Sequence, residues 1–223
     1  MCGRFTLSFE APEAQQELEL GEMPPDWLPR YNIAPSQPVA VVAEVNTRRV
    51  EWMKWGLIPS WAKDPTIGSR MINARSETLS EKPSFRVAYA RRRCLILANG
   101  FYEWQKIPGI GSSSIPYLFH LEDHRIFTFA GIWESWRTPE GEDLHTCSII
   151  TCRANAVVEP VHDRMPVIFD RQSCWNWLAE NRLPELQIML APYPAEKMGK
   201  YTVSRLVNDP RQDVKDCIIP YEN

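Results

Sequence analysis

The chain has 223 residues, of which 44% are hydrophobic and 24% charged, and its formal net charge is −3. These are ordinary globular values, which exclude a disordered chain, and no run approaches the roughly 18 to 20 continuous apolar residues that span a bilayer, so no membrane partner is expected. The start Met1-Cys2-Gly3-Arg4 has no apolar secretory core behind it, so the expected location is the cytoplasm, at the nucleoid of a bacterium, or the nucleus of a eukaryote.

In chain order, residues 9–19 are rich in Glu, Gln, Ala and Leu and predict a short helix, followed by a loop through Pro24, Pro25 and Pro29. Short β-branched or aromatic runs then predict strands at 39–45, 50–57, 93–98, 117–120, 126–133, 144–151 and 167–169. Asp170 reads as the N-cap of a helix from about 172 to 180. Residues 58–72 read as an irregular loop and residues 109–114, Gly-Ile-Gly-Ser-Ser-Ser, as a flexible one. The expected fold class is α+β. It is a single β-rich domain over residues 1–223, with a curved, barrel-like, mostly antiparallel sheet and a few flanking helices.

Charge is unevenly placed: residues 23–110 hold 13 basic and 7 acidic side chains, whereas both flanking segments are acidic. Such a segment is either a local phosphate-binding surface or a solvated face. Of the nine tryptophans, Trp52, Trp55 and Trp133 fit strand patterns and a core position. Trp61 lies in a loop and is open to two readings, an exposed stacking platform or a loop anchor. The run Arg91-Arg92-Arg93 reads as a solvated turn.

Six cysteines, Cys2, Cys94, Cys147, Cys152, Cys174 and Cys217, contain no C-x-x-C pair, and no His stands at finger spacing, so neither a metal nor another cofactor is expected. Cys94 and Cys147 sit in apolar runs and read as buried small hydrophobes; Cys2 does not fit that pattern. Loss of Met1 exposes a free α-amine and a thiol on the same residue. The amine has a reference pKa near ~7.7 to 8.0, so at neutral pH a usable fraction is a nucleophile that condenses with aldehydes. The neighbouring thiol, already within bonding reach, can close a thiazolidine on the imine carbon. A ring-opened abasic deoxyribose is one such aldehyde.

Several motifs recur in order along the chain: Met1-Cys2-Gly3-Arg4-Phe5, Tyr31-Asn32-Ile33-Ala34-Pro35, Trp55-Gly56-Leu57-Ile58-Pro59, Asn73-Ala74-Arg75-Ser76-Glu77-Thr78, Gly100-Phe101-Tyr102-Glu103-Trp104, His162-Asp163-Arg164-Met165-Pro166-Val167 and Val203-Ser204-Arg205-Leu206-Val207-Asn208. Together they resemble the motif set of SRAP-domain proteins, the abasic-site processing family. The resemblance implies a monomer that crosslinks abasic single-stranded DNA, or single-strand/duplex junctions, through Cys2, shielding the lesion during the DNA damage response. It also implies possible cleavage of the strand and a thiol self-proteolysis that removes Met1. By the same resemblance Glu103 is the carboxylate that handles the Cys2 amine proton, with a structural ion pair as its bland alternative. His162 moves protons near pH 7, Asn73 binds oxygens of the opened sugar, and Gly3 leaves room for the sugar. Arg4, Arg75 and Arg164 are candidate phosphate clamps, each alternatively an internal salt bridge, and Thr151 is a further DNA-contact candidate. His120, His124 and His145 are expected to be structural.

Two competing readings use the same residues differently. An N-terminal-nucleophile amidohydrolase would attack an amide with the Cys2 thiol, although Arg4 stands where those enzymes carry an apolar residue. A non-catalytic single-strand binding module would need the basic segment and the aromatics but not Cys2.

Overall fold

The computed structural model describes residues 2–107, 114–123 and 125–221. These form thirteen strands and four short α-helices: β1 (Phe5–Leu7), α1 (Ala11–Leu18), β2 (Arg30–Ile33), β3 (Pro38–Val42), β4 (Val50–Trp55), β5 (Asn73–Arg75), α2 (Arg86–Arg91), β6 (Arg93–Ala98), β7 (Gly100–Lys106), β8 (Ser114–Leu121), β9 (Phe127–Arg137), β10 (Asp143–Arg153), β11 (Arg164–Pro166), β12 (Ile168–Phe169), α3 (Cys174–Ala179), α4 (Leu183–Met189) and β13 (Met198–Thr202).

Every residue of β6 is buried, Arg93 included, the pattern of a strand covered on both faces. Its neighbours explain the cover. The pairings β4–β3, β3–β6, β6–β9 and β9–β10 are antiparallel, and β10 returns to β4 in parallel register, Thr146 opposite Lys54 and Cys147 opposite Trp55. The five strands form a closed ring, so none of them presents a free edge along that stretch. β5, β11 and β12 extend it, β5 again in parallel register with β10. A second sheet, in the order β13-β8-β7-β1-β2, is open and wholly antiparallel. An aromatic seam joins the two: the Phe5 ring meets Trp55 at 5.1 Å and Phe129 at 5.4 Å, both edge-on, a favoured aromatic geometry. The expected α+β class with a barrel-like, mostly antiparallel sheet is what the strands form.

The differences from the sequence expectations are local. Asp170 does not cap a helix at 172. Its carboxylate accepts from the Ser173 N–H and hydroxyl, closing a turn, and α3 begins only at Cys174. Arg93 is not part of a solvated turn. Its guanidinium is buried and donates to the carbonyls of Trp177, Tyr89, Ala90 and Glu180, which satisfies the end of α3. The 58–72 loop contains a 3-10 turn at Pro65–Arg70, capped by the Asp64 carboxylate on the Thr66 N–H at 2.9 Å. The loop is pressed against the barrel where Gly56, at φ 130°, meets Gly68; a Cβ on Gly56 would stand 2.7 Å from the Gly68 oxygen. Trp55 is fully buried, while Trp52 and Trp133 are partly buried and pack on the core. Of the predicted 109–114 loop only Ser114, the first residue of β8, is among the described residues, and His124 also lies outside them.

Candidate functional site

The beginning of the chain is held along β7. Phe5 pairs with Phe101 and Thr6 with Gly100, and the Tyr102 N–H donates to the Arg4 carbonyl at 2.9 Å. Continuing that antiparallel register sets Gly3 opposite Glu103, and the Glu103 charge acts on the neighbouring Cys2 thiol. Asn73, the first residue of β5, is set by its pairing with Ile149 on β10, and its Nδ2 donates to the Cys2 carbonyl at 2.8 Å. His162 lies near the end of a loop that leaves β10 and returns as β11. The loop is closed by the Ala154 N–H on the Asp163 carbonyl at 3.0 Å and by the His162 N–H on the Val158 carbonyl at 3.0 Å. Gln105, two residues beyond Glu103 and so on the same face of β7, donates from Nε2 to the Pro160 carbonyl at 3.1 Å. Four segments far apart in sequence thus meet around Cys2.

Their electrostatics follow from burial. Glu103 is only 4% exposed, and burial, reinforced by the Asp163 carboxylate, pushes its carboxyl up to about 7. It can therefore both hold and release a proton near neutral pH. The Cys2 thiol is completely buried, contrary to the expectation that it departs from the other cysteines, all of which are buried. Burial and the Glu103 charge raise it well above the ordinary thiol range, so the resting group is a neutral thiol. His162 is shifted below its usual value, chiefly by burial, which leaves the ring mostly neutral at pH 7. The Arg164 N–H donates to its Nδ1 at 2.9 Å; an accepting Nδ1 carries no hydrogen, so the neutral ring bears its proton on Nε2. Asp163 Oδ1 stands 3.1 Å from the same nitrogen and favours the ring when it becomes charged. The buried Oδ1 of Asn73 has no hydrogen-bond partner among the described residues, so the amide keeps an acceptor for an incoming donor.

The candidate DNA contacts divide sharply. Arg4 is an internal brace rather than an outward clamp: one terminal nitrogen donates to Asn32 Oδ1 at 2.7 Å and to the Val207 carbonyl at 2.6 Å. Asn32 is fully buried and donates onward to the Asp209 and Gln212 carbonyls at 3.1 and 2.7 Å. Asp213 accepts from the Tyr31 and Asn32 N–H groups at 2.5 and 2.8 Å. The segment 207–213 is thereby strapped to Arg4 and β2, beside the strand that aims Cys2. Arg164 is also turned inward, gripping Glu77 with both terminal nitrogens at 2.5 and 2.9 Å and the Thr151 carbonyl at 2.6 Å. Thr151 is fully buried within β10, so its side chain is out of reach of a strand lying on the surface. Arg75 and Trp61 are the exposed members of the set, Trp61 at 60%. Arg75 shares a face of β5 with Asn73, one pleat repeat of about 7 Å away.

The sequence reading missed Asn32 and Asp213. Asn32 stood inside a quoted motif but was given no role, and nothing local marks Asp213, whose partners are some 180 residues away. The remaining described histidines are structural: His120 Nδ1 contacts the Leu121 carbonyl at 2.8 Å, and the His145 ring meets Trp133 at 5.1 Å. Among the described residues no group of three or more His, Cys, Asp or Glu side chains is placed to hold a metal ion, and no helix is long and apolar enough to cross a membrane.

Comparison with known proteins places these residues in context. The SOS response associated peptidase (SRAP) family model matches residues 1–210. The chain is 44% identical to the abasic site processing protein YoqW of Bacillus subtilis (strain 168), covering 98% of this chain and 99% of that one. It is 32% identical to the abasic site processing protein HMCES of Gallus gallus, over 100% of this chain and 78% of that one. A crystal structure of a Bacteroides thetaiotaomicron protein superposes with a TM-score of 0.79 at 26% identity, covering 96% of this chain and all of the other.

Proposed function

The chain belongs to the SOS response associated peptidase (SRAP) family, and from that premise we propose that it senses abasic sites in single-stranded DNA and captures them covalently through Cys2. Relatives called abasic site processing proteins match it over nearly their whole length or most of it, which supports the substrate class. The observation that carries the reading is the convergence on Cys2: Asn73 donates to its carbonyl at 2.8 Å, and the buried Glu103 carboxyl lies close enough for its charge to act on the thiol.

In the proposed reaction Met1 is first removed. The Cys2 α-amine adds to the aldehyde carbon of the ring-opened sugar, and the carbinolamine expels one water to give an imine. The thiol sulfur then bonds to the imine carbon while its proton passes to the nitrogen, closing a thiazolidine with no further loss. Glu103, poised to about 7, takes the proton from the amine and returns it to the departing hydroxyl. His162 moves protons to and from the sugar hydroxyl from Nε2, and the unsatisfied Oδ1 of Asn73 accepts from the sugar. If sulfur addition fails, the imine can instead promote β-elimination and nick the strand; this lyase route and self-removal of Met1 belong to the same proposal. We place Arg75 and Trp61 on the DNA path, expect a monomer folded as one domain, and expect a preference for single strands and junctions, where no base pair has to be broken to present the lesion.

The amidohydrolase reading is disfavoured by Arg4, which stands where those enzymes carry an apolar residue, and by relatives called abasic site processing proteins over nearly the whole chain.

Intact mass of the protein before and after incubation with an abasic single-stranded oligonucleotide tests the proposal. A Met1-less protein that gains the oligonucleotide mass less one water is expected. Cys2→Ser should lose that stable species while borohydride still traps its imine. A stable adduct on a chain with a blocked N-terminus would overturn the mechanism.

A further inference from the structure

We propose that Glu77 is a positioning residue for His162, acting through Arg164. Glu77 sits in a 3-10 turn, Ser76–Thr78, just after β5. Its carboxylate receives both terminal nitrogens of Arg164, at 2.5 and 2.9 Å, in the parallel two-bond geometry that fixes a guanidinium in plane and in direction. One of those nitrogens also donates to the Thr151 carbonyl at 2.6 Å, and the Arg164 side chain is 10% exposed. Arg164 is thus held at its far end by two segments at once. Its near end is the N–H that donates to His162 Nδ1 at 2.9 Å.

That N–H decides which ring nitrogen carries the proton and which way the ring faces. Arg164 is the first residue of β11, a strand of three residues paired only with the last three of β10. Strand ends of this kind fray, and here the end is also where the 154–163 loop rejoins the sheet. The anchored guanidinium supplies what the short ladder lacks. Holding a general acid/base within a few tenths of an ångström through residues that never touch substrate is a recurring device in catalytic sites. The charge of Glu77 suits the task, because the ion pair holds its carboxyl down to about 2 and keeps it ionised over the working pH range.

The inference rests on the His162 role proposed above, so its test has a readout that needs no DNA. Long-range proton–nitrogen NMR correlations of the His162 ring report its tautomer directly. In the wild-type protein the Nε2–H form is expected to dominate. In Glu77→Ala the two tautomers should mix, and formation or reversal of the abasic-site adduct should slow roughly tenfold. Glu77→Gln, which keeps the shape and one acceptor, should lie between the two. A wild-type His162 tautomer in folded Glu77→Ala overturns the positioning role whatever the adduct kinetics. A mixed tautomer with wild-type kinetics upholds the positioning role and instead removes His162 from the chemistry.

Discussion

The closed barrel and the open sheet treat buried charge in different ways: the barrel pairs Glu134 with Arg92 at 2.7 Å and Arg93 with four backbone carbonyls, whereas burial raises the Glu103 carboxyl of the open sheet to about 7. The barrel strands β6 and β9 bury runs such as Cys94-Leu95-Ile96-Leu97-Ala98 and Phe127 to Ile132, in which Thr128 is the lone polar residue. The open sheet buries Thr6, Asn32 and Glu103 within strands of three to seven residues. A ring of strands with no free edge and a mostly apolar filling stabilises the molecule; the shorter sheet packed on it through Phe5 can then carry a carboxyl that burial disfavours in its charged form. The lesson is a partial division of labour: Cys2 and Glu103 come from the open sheet, Asn73 and the His162 loop come from the strands that extend the barrel, and the five-stranded ring itself supplies stability.

That division can be broken by substitutions on either side. Leu95→Ala should cost about 2 to 5 kcal/mol, because the closed ring cannot collapse around the cavity, while the adduct rate per folded molecule stays at the wild-type value; urea unfolding and single-turnover crosslinking measure the two. A matching loss of rate would show that the halves are not separable.

Glu103→Gln should do the reverse. Because burial raises the Glu103 carboxyl from 4.5 to about 7, the folded state binds its proton more tightly than the unfolded chain. The wild-type protein therefore loses stability as pH rises from about 4.5 to about 7, on the order of 3 kcal/mol. Glu103→Gln should remove that loss, being more stable than wild type at pH 8 and similar at pH 4, while its crosslinking collapses. Parallel pH profiles for the two proteins would contradict the buried-carboxyl account.

His162→Ala should leave unfolding nearly unchanged and slow one direction of the reaction roughly 100-fold, and comparing formation with reversal identifies the step. Smallest of all, Trp61→Ala should shift stability by less than about 0.5 kcal/mol, as befits an exposed side chain, yet weaken binding of intact single strands by about 1 kcal/mol. Unaltered binding would remove Trp61 from the DNA path.

Most barrel strands were legible because both-sided burial writes itself as β-branched and aromatic runs; β6 was read to the residue, and β4, β9 and β10 to within a few. Of the open sheet only β8 was read as a strand. β1, β2 and β13, like β5 on the barrel side, are three to five residues long, too short for any period to show, and exist through pairing rather than propensity. β7 was read as a chemical motif rather than a strand. Cys2, Asn73, Glu103 and His162 were legible as a set through the resemblance, and the fold gathers the segments that carry them. Arg4 and Arg164 stayed open between clamp and internal brace, and Arg93 was misread as part of a solvated turn, because a guanidinium looks the same in sequence whether it faces a phosphate or a buried carbonyl. Arg4, Arg93 and Arg164 all face inward, and only their distant partners decide that.

The parallel β4–β10 pairing that completes the ring links positions about ninety residues apart, a contact that a chain can make only late in folding. During synthesis, at roughly 5 to 20 residues per second, β3, β4 and β6 emerge several seconds before β10. For that interval they present apolar faces and unpaired edges with nothing to close them. The nascent protein is therefore most exposed to misassembly midway through translation. Slower expression at low temperature, or a chaperone that shields hydrophobic strands, should raise the folded yield, while a chain truncated ahead of β10 should precipitate rather than persist as a partial domain.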